Sequence, residues 1–331
     1  MRSRFCLCLT RQLRQQVRFA LGSALALVLA PAGASGSAAQ PSPPAGSSEV
    51  SAPFKAEIAR LSAEGLQLKE SVEASLDGTN RHLAAIFERK NPKDPRETYE
   101  FRVIESVGQS AATIFRRTEF FFTFGSGEMQ TLNATDINGD GLKEIILQSS
   151  SGGNCWSCNP TEIYQVANHK AALIAAGPVQ KVVDLHGDGL RELLVTDARW
   201  EVYGELSHAA APYATMVYAW RGGKYVNASR DFSAYYRGEI QRLRALVEEA
   251  KNQITADDFS DDSYLGGAIS LALTYAHSGD PDRGFKELET LLNANARSAE
   301  QSKRRTSVLE DFRTGDSATK LRSIKYGAPL L

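Results

Sequence analysis

Two nine-residue segments of one design limit what this chain can fold into more than any other feature. They are Asp136-Ile137-Asn138-Gly139-Asp140-Gly141-Leu142-Lys143-Glu144 and Asp184-Leu185-His186-Gly187-Asp188-Gly189-Leu190-Arg191-Glu192, 48 positions apart. Each runs straight into an apolar stretch, Ile145-Ile146-Leu147 or Leu193-Leu194-Val195. Oxygen side chains at positions one, three and five, a glycine at six and an acid at nine suit a loop around a hard cation. Calcium takes six to eight oxygens at about 2.3–2.6 Å. In the first loop Asp136, Asn138 and Asp140 offer side-chain oxygens, Leu142 its backbone carbonyl, and Glu144 the closing carboxylate. Gly141 lets the chain reverse, since glycine takes positive φ without a Cβ penalty. The expectation is structural Ca2+, because carboxylates gathered this tightly repel one another unless a cation neutralises them.

An EF-hand opens in a similar way but needs an acid at position twelve and a following helix. Position twelve here is Leu147 or Val195, and the residues around it read as short strands. The second loop carries His186 at position three, where an oxygen is expected. Imidazole suits zinc, copper or nickel better than calcium. The second loop therefore either binds calcium weakly, with water in place of that ligand, or survives as a simple turn. Ordinary Asp/Gly turns between strands remain the plain alternative for both loops.

The pattern D-x-N-G-D-G-x-x-E followed by apolar residues resembles the FG-GAP or VCBS-type repeat of β-propeller proteins, which includes the calcium loops of integrin α chains. The resemblance implies that each loop joins strands of a propeller blade. It assigns Asp136, Asn138, Asp140, Leu142 (carbonyl) and Glu144 to one site, and Asp184, Asp188, Leu190 (carbonyl) and Glu192 to another. The family often closes its loop with Asp, whereas both loops here use Glu. The likeness covers roughly residues 115–230. A closed propeller takes at least four blades, more β sequence than this chain offers, so the likeness is local.

The surrounding sequence supports a repeated β unit. Ile163-Tyr164-Gln165-Val166, a break at Ala167-Asn168-His169-Lys170, then Ala171-Ala172-Leu173-Ile174 reads as a hairpin. Val217-Tyr218-Ala219-Trp220, Arg221-Gly222-Gly223-Lys224 and Tyr225-Val226 read as the same hairpin one repeat later, and Phe120–Phe124 as an earlier copy. Residues 98–117 have the β-branched, apolar texture of the first strands. Phe54, Ile58 and Leu61 mark an amphipathic helix expected to run to Asp77-Gly78, with a shorter helix over His82 to Arg89. Past the last hairpin, Phe232, Tyr236, Ile240, Leu243 and Val247 recur at helical spacing. A second helix is expected from Tyr264 to His277. Gly279 then ends it, Asp280 caps the next, and Pro281 fits its first turn, with a partner helix over 282–293. Ala272, Tyr275, Gly279, Gly284 and Leu288 resemble part of a tetratricopeptide repeat, which implies a protein-interaction surface. A lone helical hairpin is the simpler reading.

The amino terminus suggests the compartment. Arg2, Arg4, Arg11, Arg14 and Arg18 precede an apolar run from Phe19 to Ala30, and Ala32-Gly33-Ala34 offers small residues for cleavage. This is the three-part layout of a secretory signal peptide. The run is short for a membrane span. The chain holds 38 basic and 39 acidic residues; loss of five arginines and no acid leaves 33 against 39. A net negative chain of that kind lacks the basic stripe of a nucleic-acid binder. Cys155-Trp156-Ser157-Cys158 lies in a Ser/Gly/Asn-rich loop before Pro160, with no βαβ pattern around it. In an oxidising compartment a structural disulfide fits that setting better than a thioredoxin-like redox pair. Zinc would need two further ligands, and no second CxxC exists.

No G-x-S-x-G elbow, HExxH helix or Walker loop occurs, and the five histidines form no motif. The sequence thus leads to an α+β chain. Residues 1–34 are a signal peptide, 35–52 a linker and 53–95 a helical segment. Residues 96–230 are a small antiparallel β module of propeller-blade-like repeats with two calcium-type loops, and 231–331 a helical region. The expected role is a periplasmic or secreted calcium-binding interaction module for a protein or glycan of the cell envelope, with no nucleic acid and no membrane span. A thiol–disulfide oxidoreductase using Cys155 and Cys158, or a hydrolase without a recognisable motif, are the alternatives.

Overall fold

The computed structural model describes residues 50–330 apart from 91, 205, 256, 257 and 295. The expected signal peptide and nearly all of the expected linker lie outside the described residues. Among the described residues twelve strands form three four-stranded antiparallel sheets, each a meander in which neighbours in sequence pair. With 'blade' meaning no more than one four-stranded sheet, the first holds β1 (Leu66–Ala74), β2 (His82–Arg89), β3 (Tyr99–Val107) and β4 (Ser110–Glu119). The second holds β5 (Phe121–Thr123), β6 (Glu144–Ser150), β7 (Thr161–Ala167) and β8 (Lys170–Gly177). The third holds β9 (Val179–Val183), β10 (Glu192–Thr196), β11 (Thr215–Arg221) and β12 (Lys224–Asn227). The expected α+β class holds, and among the described residues the sheets do not close into a ring.

The blades stack face to face. Ala84, Ile86, Phe101 and Val103 of the first pack on Phe122, Ile145, Leu147 and Tyr164 of the second. Ile146, Ile163 and Ala175 on the other face of the second meet Val182, Leu193, Val195 and Tyr218 of the third. A strand buried on both faces must be apolar throughout rather than alternating. Leu83 to Phe87 in β2 and Ile145 to Leu147 in β6 are accordingly 0% exposed. Helix α1 (Ala52–Ala63) covers the free face of the first blade, placing Phe54 and Leu61 against Leu83, Ala85, Phe87 and Ile104.

The expected extension of the first helix to Asp77-Gly78 and the expected shorter helix over His82 to Arg89 are corrected by the structure. The chain forms β1 and β2 there, so the β module begins near residue 66 and not 96. The run Leu83-Ala84-Ala85-Ile86-Phe87 is continuous and apolar, and periodicity cannot separate a doubly buried strand from a buried helix segment. Phe121–Thr123 is the first strand of the second blade, not half of an earlier hairpin. The two later hairpins form as expected, β7 on β8 and β11 on β12.

After a short helix α2 (Glu128–Thr131) inside the second blade, the remaining helices follow the sheets: α3 (Ser233–Asn252), α4 (Asp258–His277), α5 (Pro281–Leu292), α6 (Ala299–Thr314) and α7 (Asp316–Arg322). Phe232 and Tyr236 seat the start of α3 on Leu194, Val217 and Ala219 of the third blade. Gly279 takes φ +99°, the Asp280 side chain accepts from the Arg283 N–H, and Pro281 opens α5. Helices α4 and α5 cross closely at Gly284, where a Cβ would come within 2.6 Å of the Ala272 carbonyl oxygen. Trp200, from the loop after β10, stacks on Phe312 of α6 and joins the helical core to the third blade. His277 of α4 meets Asp197 at 3.1 Å beneath it. Among the described residues no helix is long and apolar enough to cross a membrane.

Candidate metal loops

Both nine-residue loops join the first and second strands of their blades, β5 to β6 and β9 to β10. Their internal hydrogen bonds repeat position by position. The first acid accepts from the N–H groups of positions four and six: Asp136 from Gly139 (2.7 Å) and Gly141 (2.9 Å), Asp184 from Gly187 (2.6 Å) and Gly189 (2.9 Å). The fifth accepts from position seven: Asp140 from Leu142 and Asp188 from Leu190, both at 3.0 Å. The ninth reaches back to position two: Glu144 to the Ile137 N–H and Glu192 to the Leu185 N–H, both at 2.9 Å. Positions four and six are left-handed in both loops, with φ of +76° and +90° in the first and +75° and +88° in the second. Only glycine takes such angles freely, which is why the G-D-G core recurs.

The ninth acid is the first residue of a buried strand. Glu144 is fully buried, and its carboxyl is pushed up to about 7, first by burial and then by the neighbouring Asp140 and Asp136. Glu192 is raised in the same direction, again chiefly by burial. Asp184 is lowered by the backbone N–H of Gly189 and its neighbours. Gln165, opposite Glu144 on β7, donates its amide to Asp140 Oδ2 (2.8 Å) and Glu144 Oε1 (2.9 Å), and Asn138 Nδ2 also donates to Glu144 Oε1 (3.2 Å). The loop's acids are thus drawn together by amide donors. Sequence reasoning missed Gln165 because only the strand register brings it to the loop.

The second loop differs where the sequence differs. His186 Nδ1 stands 3.7 Å from Glu192 Oε1, in the role Asn138 plays beside Glu144, and its ring packs on Phe232 at 4.6 Å between centroids. With Leu193 opposite Tyr218, the register puts Ala219 across from Glu192, so no amide corresponds to Gln165. Leu142 and Leu190 hold position seven, where only their carbonyls can serve. Neighbouring loops also touch. The Lys143 N–H donates to the Leu76 carbonyl in the first blade, and the Arg191 N–H to the Ile137 carbonyl in the second.

Ligand convergence is tightest elsewhere. Among the described residues, one group of three acid or imidazole side chains brings its ligand atoms within 4.8 Å of one another: Asp77, His82 and Glu105 in the first blade. The first nine-residue loop instead gathers carboxylates with the Asn138 and Gln165 amides, and the second gathers carboxylates with the His186 ring.

Cys155 and Cys158 lie at disulfide distance, their Cα atoms 4.9 Å apart, on a short 3₁₀ turn between β6 and β7. The Cys158 carbonyl accepts from the Ser151 N–H, and Glu201 accepts from the Trp156 N–H between the two cysteines. A carboxylate there opposes a thiolate, whereas reactive cysteines sit in electropositive surroundings. Comparison with known proteins returns no matching family model and no matching curated protein.

Proposed function

We propose that this chain is an extracytoplasmic, calcium-stabilised stack of propeller-like blades that acts as a binding module rather than as an enzyme. The observation that carries this reading is the shared scaffold of the two loops: the same four backbone-to-carboxylate hydrogen bonds at the same positions in two blades. A cation among Asp136, Asn138, Asp140, Leu142 and Glu144 would discharge the buried Glu144 and fix the turn that aligns β5 with β6. Asp184, Asp188, Leu190 and Glu192 would form the weaker second site. The partner is a protein or glycan of the cell envelope, met by the blade loops or by the α4–α5 hairpin, which the tetratricopeptide likeness marks as an interaction surface. Cys155–Cys158 serves as a structural staple in the loop between β6 and β7.

Melting the purified protein in EGTA and in calcium tests the reading. A calcium-dependent rise that disappears in an Asp136→Asn, Asp184→Asn double variant supports it. An identical melting temperature in both buffers refutes it.

A further inference from the structure

The first blade carries the same loop in altered form. Ser75-Leu76-Asp77-Gly78-Thr79-Asn80-Arg81-His82 is one residue shorter than its two counterparts. Leu76 takes position two: its carbonyl accepts from Lys143 as that of Ile137 accepts from Arg191. Gly78, at φ +78°, matches Gly139 and Gly187. His82 takes position nine as the first residue of β2, and its Nδ1 lies 3.4 Å from the Leu76 N–H, where Glu144 and Glu192 meet Ile137 and Leu185. Glu105 stands opposite His82 on β3, as Gln165 stands opposite Glu144 on β7. The all-oxygen donor set of the other loops has become nitrogen plus carboxylate.

The site is built and incompletely satisfied. His82 is fully buried, and its Nε2 has no hydrogen-bond partner although it faces Glu105 Oε1 at 3.6 Å. The ligand atoms of Asp77, His82 and Glu105 all lie within 4.8 Å of one another. In a tetrahedral zinc shell the ligand atoms sit about 3.4 Å apart, given metal–ligand bonds of about 2.1 Å. Side-chain shifts of about 1 Å close that gap. From the second blade, His169 brings Nδ1 to 2.8 Å from Glu105 Oε2. It does so from a left-handed position (φ +61°) that glycine occupies in the matching turn of the third blade, Gly223 (φ +80°).

We propose that Asp77, Glu105 and the Nε2 of His82 bind a borderline divalent cation of the zinc class, with His169 orienting Glu105 across the junction of the first two blades. Imidazole nitrogen beside carboxylate favours zinc, copper or nickel over calcium. Ligation through Nε2 requires the ring proton on Nδ1, so the 3.4 Å contact with the Leu76 N–H is given up when the cation binds. A hydrogen bond from His169 that holds a ligating carboxylate in place is the kind of support whose removal costs about 10–100-fold in metal affinity.

The test is competition between chelator-stripped protein and a zinc indicator, in calcium excess. The wild type should take one equivalent of zinc, and the Asp136→Asn, Asp184→Asn variant the same amount, so the result is independent of the calcium loops. Glu105→Gln and His82→Asn should each weaken binding at least about tenfold, and His169→Ala about 10–100-fold. Circular dichroism checks that each variant folds. Cobalt added to the wild type, which needs no variant, should give visible bands of a low-coordinate nitrogen–oxygen site. Zinc uptake no greater than the indicator background, or equal uptake by wild type and folded Glu105→Gln, overturns the proposal.

Discussion

Replacing Glu144 by Gln should stabilise the metal-free protein and remove the first loop's share of its response to calcium, two effects of opposite sign from one residue. Glu144 is fully buried, and its folded carboxyl stands at about 7 against an ordinary value of 4.5. A gap of that size corresponds to roughly 3 kcal/mol. The folded state holds the Glu144 proton more tightly than the unfolded chain. Metal-free stability is therefore greatest below about pH 4.5 as far as this group is concerned, and falls as the pH rises towards about 7. The substituted amide carries no charge to bury and keeps an oxygen for the Ile137 N–H; Gln165 and Asn138, which both donate to Glu144 Oε1, must turn to accept from it, and Gln165 then gives up its bond to Asp140, a loss smaller than the charge burial relieved. Near neutral pH in EGTA the variant should therefore gain about 1–3 kcal/mol, several degrees in melting temperature. In calcium the wild type gains about 2.7 kcal/mol when the ion is a hundredfold above its Kd, while the variant has lost the closing ligand. Calorimetric melting at about pH 5 and pH 7.5, with EGTA or calcium, separates the four cases. A variant that melts below the wild type in EGTA near neutral pH, with a calcium response as large as the wild type's, would refute the account of Glu144 as a buried acid awaiting a cation.

Other expectations follow from packing and pairing. Gly284→Ala should destabilise by about 1–3 kcal/mol, because its Cβ would meet the Ala272 carbonyl oxygen at 2.6 Å and Tyr275 Cβ at 2.9 Å. Gly238→Ala, in helix α3 with nothing within 4 Å of the added Cβ, should instead gain about 0.5–1 kcal/mol, and denaturant titration of the pair reads both. Arg305→Ala should cost about 3–5 kcal/mol, since Arg305 meets the fully buried Asp261 at 2.6 Å; the loss should appear as a lower denaturant midpoint. Insulin reduction should proceed at the uncatalysed rate with the wild type and with Cys155→Ser alike, and turnover by the wild type alone would revive the redox alternative.

The parts of the molecule legible in sequence are those fixed by local backbone chemistry. The G-D-G turns need left-handed φ at two positions, and Gly279, Asp280 and Pro281 place a stop, a cap and a start within three residues. The hairpins at Asn168-His169 and Gly222-Gly223 are visible for the same reason. Strand β2 was hidden because its core, Leu83 to Phe87, is buried on both faces and carries no alternation. Helix α6 was also obscure, because its buried face includes Gln301 and Arg305 and so lacks an apolar stripe. Most of the site's second half was out of reach as well. Gln165 reaches Glu144 through strand register, and the first-blade loop is a residue short with His82 in place of the acid. Only the pairing of β2 with β3 reveals Glu105 as its companion.

The two loop-to-loop hydrogen bonds run one way along the stack, each later blade donating to the one before it. An array built on such a directional rule has a head and a tail, and nothing in the rule itself limits how many units it adds. Here growth is terminated by helices: α1 sits on the apolar face of the first blade and α3 on that of the third. These two plugs let three blades stand as a finite block where a ring would otherwise be needed to use up both ends.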